Sequence, residues 1–397
     1  MKTAELKKGI YYTGVTDKDL RTFDIIMETK YGTSYNSYIV KGNEKTALIE
    51  TAKENFLDEY LENVDKITPL SEINYLVVNH TEPDHSGSIR ALLEHNPEMT
   101  VVGTPSALMF LKEITNKTFN KLSVKEGDSI SLGDKTLTFM PLPNLHWPDT
   151  MYTYIPEDKT LFTCDSFGAH YAHDGILRSS VTDTEGYLDA AKYYFDCILG
   201  PFKQPFMQNA LERIKDLDIE LIATGHGPVL DSHIEEIIEY YKDWCKPEKN
   251  EKKTVIIAYV SAYGYTKLLA EKIHDGLAED GRLCIKMFDL EKAPKNQVVD
   301  EITKADGFLL GSPTILGDAL EPVWDVAIAL FPPIHSGKLA TAFGSYGWSG
   351  EAVPNLLERF KQLRLKTIEG MKVRFRPSEE DLEKAKEFGR AFAAEIK

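Results

Sequence analysis

The sequence is poor in cysteine: its 397 residues hold only Cys164, Cys197, Cys245 and Cys284, and no two of them form a Cys-x-x-Cys pair. This excludes the usual thiolate motifs for structural zinc or a rubredoxin-type iron centre, and it suits a reducing compartment in which thiols stay free. Long apolar runs are also missing. Nothing approaches ~18 uninterrupted apolar residues, and the N-terminus has no apolar core of signal-peptide length, so a cytoplasmic protein without a membrane partner is expected. Basic residues are short as well, 46 Lys and Arg against 62 Asp and Glu, for a formal charge of −16. That balance argues against nucleic acid or an anionic membrane surface as partner. What remains is an ordinary globular composition, 42% hydrophobic and 27% charged, in a chain longer than one core usually holds. Two domains are the default.

Short runs with period-two patterning and Gly or Asn punctuation open the chain near 10–14, 33–40 and 45–51, as antiparallel strands do. An amphipathic helix is expected near 56–64, a buried strand at Ile73 to Val78, a strand at 100–103, a helix near 106–114 and a hairpin about Gly133-Asp134. Residues 184–215 are helix-rich. Strands with polar residues at their ends and helices outside suggest an αββα sandwich. The charged stretch Pro247 to Lys253 reads as a linker between domains of residues 1–250 and 251–397. After it, Thr254 to Val260 looks like a fully buried parallel strand. Further strands are expected near 284–288, 307–310, 339–343 and 371–373, with helices near 266–279, 321–330, 352–363 and 379–396; that alternation makes a doubly wound parallel sheet.

Chemistry concentrates where the strand at 73–78 ends, in Asn79-His80-Thr81-Glu82-Pro83-Asp84-His85-Ser86-Gly87-Ser88. Four residues of metal-ligand type fall within six positions. His80 and Glu82 share a side if the backbone is extended, and a turn must splay the adjacent Asp84 and His85, so one loop can serve two neighbouring metals. Three later segments each put one ligand-type residue where an apolar run gives way to a turn: Leu145-His146-Trp147-Pro148-Asp149, Phe162-Thr163-Cys164-Asp165-Ser166-Phe167-Gly168, and Ala223-Thr224-Gly225-His226-Gly227-Pro228. This His-x-Glu-x-Asp-His loop, followed by His, Asp and His, resembles the metallo-β-lactamase superfamily and, more closely, its diiron branch, the flavodiiron proteins. The resemblance spans essentially the whole chain and supports the αββα sandwich in its first half. It implies that His80, Glu82 and His146 hold one iron, that Asp84, His85 and His226 hold the other, and that Asp165 bridges. Relatives sometimes dispense with the first histidine, which leaves His80 the weakest member of the set.

A second constellation follows the first strand of the second domain. In Ser261-Ala262-Tyr263-Gly264-Tyr265-Thr266, small hydroxyl residues and Gly let donors converge on an anion at a helix N-terminus, and no Walker-type lysine points to a nucleoside triphosphate. Two more loops follow strands at the same end: Gly311-Ser312-Pro313-Thr314-Ile315-Leu316-Gly317 and Ser345-Tyr346-Gly347-Trp348-Ser349-Gly350. Gly-rich loops with aromatics bring backbone groups and rings to a planar ligand. The domain resembles flavodoxin, and the three loops match its FMN-binding loops. The sequence departs from relatives after Thr314, where two asparagines are common and Ile315-Leu316-Gly317-Asp318 stands here.

Three carboxylates in one cavity repel unless cations sit between them, and two divalent ions supply the balance. Zinc is the competing metal. Glu82, where superfamily hydrolases usually have histidine, shifts the preference toward a carboxylate-rich, redox-active pair. The attached flavin domain favours iron, since a hydrolytic pair needs no electron source. By the resemblance, FMN passes electrons from an external donor to two non-haem irons that reduce dioxygen to water or couple nitric oxide to nitrous oxide. The donor is a separate partner, rubredoxin or a reduced deazaflavin coenzyme, and the assembly a head-to-tail homodimer or dimer of dimers. The alternatives are a zinc hydrolase with an appended flavodoxin module and a redox-sensing protein without turnover. His170 is a candidate beside the metals or the substrate, or a packing residue. Trp147 and Trp348 lie near the expected cofactors or simply pack, as does Cys164, and His95, His233, His274 and His335 are expected at the surface.

Overall fold

The apolar runs of the N-terminal half pair into two sheets in the computed structural model, which describes residues 3–24, 27–246 and 252–396. The first sheet contains β1 (Ala4–Lys7), β2 (Ile10–Tyr12), β3 (Tyr38–Lys41), β4 (Thr46–Ile49), β5 (Tyr75–Val77), β6 (Thr100–Gly103) and β7 (Asn120–Ser123), in that spatial order. It is antiparallel through β4 and parallel from β4 to β7. The second sheet contains β8 (Ser129–Ser131), β9 (Thr136–Pro141), β10 (Met151–Ile155), β11 (Thr160–Cys164) and β12 (Leu221–Thr224), again in chain order, with only the β11–β12 pair parallel.

Strand alternation decides which residues meet. Val40, Val77 and Val102 of the first sheet pack against Leu137, Phe139, Phe162 and Ala223 of the second, an apolar layer between the sheets. The opposite face of the first sheet, with Ile39, Leu48, Leu76 and Val101, is covered by helices α1 (Leu57–Asp65), α3 (Ile89–His95) and α4 (Pro105–Thr115). Thr104 caps α4 by accepting from Ala107 N–H, and Pro105 occupies the first turn, where no N–H is needed. The outer face of the second sheet, with Tyr152, Leu161 and Ile222, is covered by α5 (Thr184–Tyr194), α6 (Gln208–Ile214) and α7 (Ile234–Trp244). The result is an αββα sandwich, and β5, β9, β11 and β12 run into the connecting segments that carry the ligand-type residues. Between β5 and α3, residues Pro83–Ser86 form a single helical turn, α2, where the sequence suggested only a loop.

The chain divides by its internal contacts into Met1–Lys246 and Pro247–Lys397. The linker expected at 247–253 lies outside the described residues up to position 251. In the second unit β13 (Lys253–Tyr259), β14 (Leu283–Asp289), β15 (Gly307–Gly311), β16 (Leu339–Tyr346), β17 (Lys366–Thr367) and β18 (Met371–Arg374) form a parallel sheet. Its order is β14-β13-β15-β16, with β17 and β18 both beside β16. Val255 and Ile257 pack on one side against α8 (Tyr265–Ala278) and α13 (Glu379–Glu395). Ile256 and Ala258 pack on the other against α9 (Lys295–Lys304), α10 (Glu321–Ala329) and α12 (Ala352–Gln362). α8 and α13 touch backbone to backbone: a Cβ on Gly276 would lie 2.0 Å from Lys386 O, and one on Gly389 would lie 2.2 Å from Ile273 O.

Several expectations need correction. The sheet has a sixth strand, the two-residue β17. α9 carries no clear helical pattern in the sequence, because only Val298 and Ile302, one turn apart, are buried in a polar segment. His335 is wholly buried rather than at the surface, in the short helix α11 (Pro332–His335). Its Nε2 lies 3.1 Å from Thr303 Oγ1, its Nδ1 lies 3.0 Å from Phe331 O, and burial lowers its pKa to about 4. No described helix is long and apolar enough to cross a membrane.

Candidate metal centre

Strand ends and tight turns aim the seven expected ligands at one buried space. β5 runs into Asn79 and His80, and the helical turn α2 projects Asp84 and His85. Cys164, at the end of β11, takes left-handed backbone (φ +49°), which turns the chain out of the strand at Asp165. His226 follows β12 on a loop clamped by buried Asn36, whose Nδ2 donates to Thr224 O and to Gly227 O, both at 2.9 Å. Gly225 is required there, because a Cβ would lie 2.8 Å from His85 Cε1 and 3.0 Å from the Cys164 carbonyl carbon.

The seven side chains form two sets. His80, Glu82, His146 and Asp165 bring one ligand atom each within 4.8 Å of one another, and Asp84, His85 and His226 do the same. In the first set Glu82 Oε2 is 2.9 Å from His146 Nε2 and 3.2 Å from His80 Nε2. In the second, Asp84 Oδ2 is 3.1 Å from His226 Nε2 and 3.3 Å from His85 Nε2. Asp165 joins them: its Oδ2 is 3.5 Å from His80 Nε2 and 3.4 Å from His146 Nε2, while its Oδ1 is 3.1 Å from His85 Nε2 and 3.6 Å from His226 Nε2. Two ligands ~2.1 Å from a shared ion, at tetrahedral to octahedral angles, stand ~3.0–3.5 Å apart. The observed separations match that spacing. Both oxygens of Asp84 and Oδ2 of Asp165 are buried without a hydrogen-bond donor. Leaving such groups unsatisfied costs ~1–3 kcal/mol each or more for a charge, so the donor set fits cations rather than a self-contained polar core.

The electrostatics agree. Burial opposes charge on the imidazoles, yet Asp84 and Asp165 raise the His85 pKa to about 9, and Asp165 and Glu82 raise that of His146 to about 9. His80 is raised well above its ordinary value, against burial, by Asp149 and Glu82. Burial also works against charge on the carboxylates, but His85 and His146 hold Asp165, and His146 and His80 hold Glu82, below the usual carboxylate range. The cluster favours positive charge at its centre, a requirement that a pair of divalent cations meets. Glu82 and His146 keep 18% and 15% of their side-chain surface exposed, against 4% or less for the other five, so solvent reaches the cluster along that edge.

Other residues around the cluster carry little signal in the sequence. Asp149 Oδ2 sits 3.2 Å from His80 Nδ1 and accepts from Thr81 N–H at 2.7 Å and Thr81 Oγ1 at 2.9 Å; its position three residues after His146 was the available signal. Tyr194 OH donates to Asp165 Oδ1 at 2.9 Å from helix α5, where nothing in the pattern separates it from a packing tyrosine. His170, singled out earlier, lies beside the cluster, its ring 4.9 Å from His226 and 4.8 Å from Tyr194, with Nδ1 2.8 Å from Thr33 Oγ1. Burial and neighbouring His226 hold it neutral, well below its ordinary pKa. The Trp147 ring stands edge-on to His80 at 5.2 Å, and Cys164 is buried.

In the second unit the three expected loops leave the carboxyl ends of adjacent strands β13, β15 and β16, where the order turns back on itself. Open parallel sheets bind ligands in that crevice. Gly264 (φ +81°) starts α8 without a side-chain cap, and only Ser261 Oγ, accepting from Lys267 N–H at 3.1 Å, meets its first turn from the loop. The amides of Tyr265 and Thr266 belong to the same turn, so the helix start suits a phosphate. Thr266 Oγ1 and Ser345 Oγ are 3.0 Å apart, and Thr314 N–H, directly after Pro313, donates to Ser345 O at 2.8 Å. Ile315 and Asp318 close a turn through left-handed Leu316 and Gly317. Tyr263, Leu316 and Trp348 are 79%, 99% and 89% exposed on these loops, while Tyr346 packs its ring beside Gly350, with Gly347 between the aromatics. Large apolar side chains held out around a helix start fit a planar ring with a phosphate tail.

The family described as ODP family beta lactamase matches residues 33–227, and flavodoxin matches residues 257–389. The flavo-diiron protein FprA2 of Clostridium acetobutylicum is 40% identical over 404 residues, covering 100% of both chains. A nitric oxide reductase of Moorella thermoacetica is 37% identical over 398 residues, covering 98% of this chain and 97% of that protein. Among solved structures, the rubredoxin oxygen:oxidoreductase of Desulfovibrio gigas superposes with a TM-score of 0.73 at 25% identity, over 100% of this chain and 98% of its own. With two matched domains in one order, a 40% identical full-length relative and two carboxylate-histidine sets sharing Asp165, the chain belongs to the flavodiiron protein family.

Proposed function

We propose that the protein is a flavodiiron oxidoreductase in which residues 1–250 form the diiron domain and residues 251–397 bind FMN. His80, Glu82 and His146 would hold one iron, Asp84, His85 and His226 the other, and Asp165 would serve both. The observation that carries this reading is the position of Asp165, each of whose oxygens faces two histidines from different sets. Ser261, Tyr263, Gly264, Tyr265 and Thr266 would hold the phosphate of FMN, and Pro313, Thr314, Ile315, Leu316, Gly317, Ser345, Tyr346, Gly347, Trp348 and Gly350 would hold its ring. When bound, FMN and the two irons supply the electrons that reduce dioxygen to water, with four electrons and four protons, or two nitric oxide molecules to nitrous oxide and water, with two of each.

The chain's own side chains do the rest. The edge at Glu82 and His146 admits small neutral molecules, and buried Asp84, His85 and His226 keep bulk water from the other side. Tyr194 holds a proton on the wall of the site, its hydroxyl oxygen 2.9 Å from Asp165 Oδ1. Asp149 fixes the His80 ring so that Nε2 points inward.

The donor is a separate redox partner, rubredoxin or a reduced deazaflavin coenzyme; rubredoxin is the one that the name of the Desulfovibrio gigas neighbour gives for that protein. The working assembly is a head-to-tail homodimer or a dimer of dimers in the cytoplasm, a compartment that suits four free cysteines. The test uses protein loaded with iron and FMN, reduced without oxygen, then pulsed with dioxygen or nitric oxide. Flavin reoxidation over several turnovers supports the proposal. Failure with both gases overturns it, and two zinc ions with thioester or lactam hydrolysis would replace it with a hydrolase.

A further inference from the structure

An imidazole that faces a metal through Nε2 turns its Nδ1–H away, and whatever meets that N–H sets tautomer and tilt. For His80 the partner is Asp149 Oδ2 at 3.2 Å, and for His226 it is Ser34 O at 2.7 Å. His85 Nδ1 is buried with no hydrogen-bond partner. In the same dry corner lies Glu50, directly after β4 and 2% exposed. Glu50, His85 and Cys164 each bring one donor atom within 4.8 Å of the others. Glu50 Oε1 accepts from Asn79 N–H at 2.6 Å, but its Oε2 is buried and unpartnered.

The backbone holds this carboxylate in place. Glu50 adopts left-handed φ (+59°), its N–H donates to Val77 O at 3.0 Å, and its carbonyl accepts from Ser37 Oγ at 2.9 Å. A non-glycine residue persists in that conformation only when its surroundings over-determine it. A donor and an acceptor, each lacking a partner, are thus confined to one site, where the third group of metal-ligand type is the weakly hydrogen-bonding Cys164 thiol.

We propose that Glu50 is a positioning residue of the metal centre: its Oε2 accepts the Nδ1–H of His85, fixing the tautomer that leaves Nε2 to ligate beside Asp84 and His226. The role rests on the metal-pair reading above. It parallels what Asp149 does for His80, so each set has one histidine steered by a carboxylate outside the cage.

The test uses full-length, FMN-loaded protein with Co(II) as the metal probe, in wild type and Glu50→Gln. The amide has one acceptor oxygen; kept on Asn79 N–H, it turns an NH2 group toward His85. Equilibrium dialysis is expected to show one of two Co(II) ions bound ~10–100-fold more weakly in the variant, with FMN content and circular dichroism unchanged. In histidine-¹⁵N-labelled wild type, slowly exchanging Nδ1–H signals are expected from His80, His85 and His226, with the His85 signal lost in the variant. A folded variant that binds both ions at wild-type affinity overturns the proposal. So does wild-type protein in which His85 Nδ1–H exchanges freely, a result that stands even if the variant does not fold. Wild-type protein that binds no Co(II) pair refutes the metal reading itself.

Discussion

Asp165→Asn tests the shared carboxylate most directly. The change is nearly isosteric, but it removes one negative charge and places an NH2 group where an oxygen faces two imidazole nitrogens. Oδ2 lies 3.4–3.5 Å from His146 and His80, and Oδ1 lies 3.1–3.6 Å from His85 and His226. At an effective dielectric constant of about 20, one unit-charge pair at ~4 Å is worth ~4 kcal/mol. Since ~1.4 kcal/mol is a factor of ten, metal affinity should fall ~10³-fold. The assay is iron per chain after dialysis against a chelator, with FMN absorbance in the same sample reporting that the rest of the chain has folded. Fewer than one iron per FMN, and gas reduction at background, is the expected result. A variant that keeps two irons per FMN at wild-type affinity would refute the argument that Asp165 serves both ions.

Tyr194→Phe removes a hydroxyl that donates to Asp165, a bond to a charged group worth ~1.5–3 kcal/mol; turnover should drop ~10-fold or more with both irons retained, and unchanged kcat would reduce the tyrosine to packing. In metal-stripped protein His85 and His146 titrate at about 9, above their ordinary ~6.5, so their stabilising contribution is complete below pH ~6.5 and disappears as pH rises through 9. Thermal melts from pH 6 to 9.5 should therefore show Tm falling ~2–4 °C per kcal/mol lost in the stripped protein, but not in the metal-loaded one; parallel curves would contradict the assignment. Gly276→Ala should destabilise the C-terminal unit by ~1–3 kcal/mol or more, since its Cβ meets the Lys386 carbonyl at 2.0 Å and backbone cannot yield as a side chain can; calorimetry checks this. Thr266→Val breaks the buried Thr266–Ser345 hydroxyl contact and should weaken FMN binding ~5-fold, about 1 kcal/mol, measured by fluorescence titration.

The candidate ligand set was legible because His80, Glu82, Asp84 and His85 interrupt an apolar run where a strand cannot absorb them, and because His146, Asp165 and His226 recur at other strand ends. The candidate flavin loops stand out for the same reason, as Gly and hydroxyl residues stand where buried strands stop. Residues brought in by pairing across the sandwich were not. Glu50 directly follows β4 and approaches His85 because β4 lies beside β5, a neighbour relation that local spacing does not encode. Tyr194 shares its helix with other aromatics, and only the register of α5 over the second sheet sends its hydroxyl to Asp165. His335 misled in the opposite sense: its polar type suggested solvent, but Thr303 and the Phe331 carbonyl satisfy both ring nitrogens indoors.

The seven candidate ligands are drawn from both sheets and from positions 80 to 226, which bears on how the protein is made. A nascent chain that has emerged only through β7 displays His80, Glu82, Asp84 and His85 but lacks the groups from the second sheet that close the cage. Domains generally complete their folding as units, so the two donor sets come together only once synthesis has passed His226. A tightly held pair marks a polypeptide extruded past His226, with its layers correctly apposed.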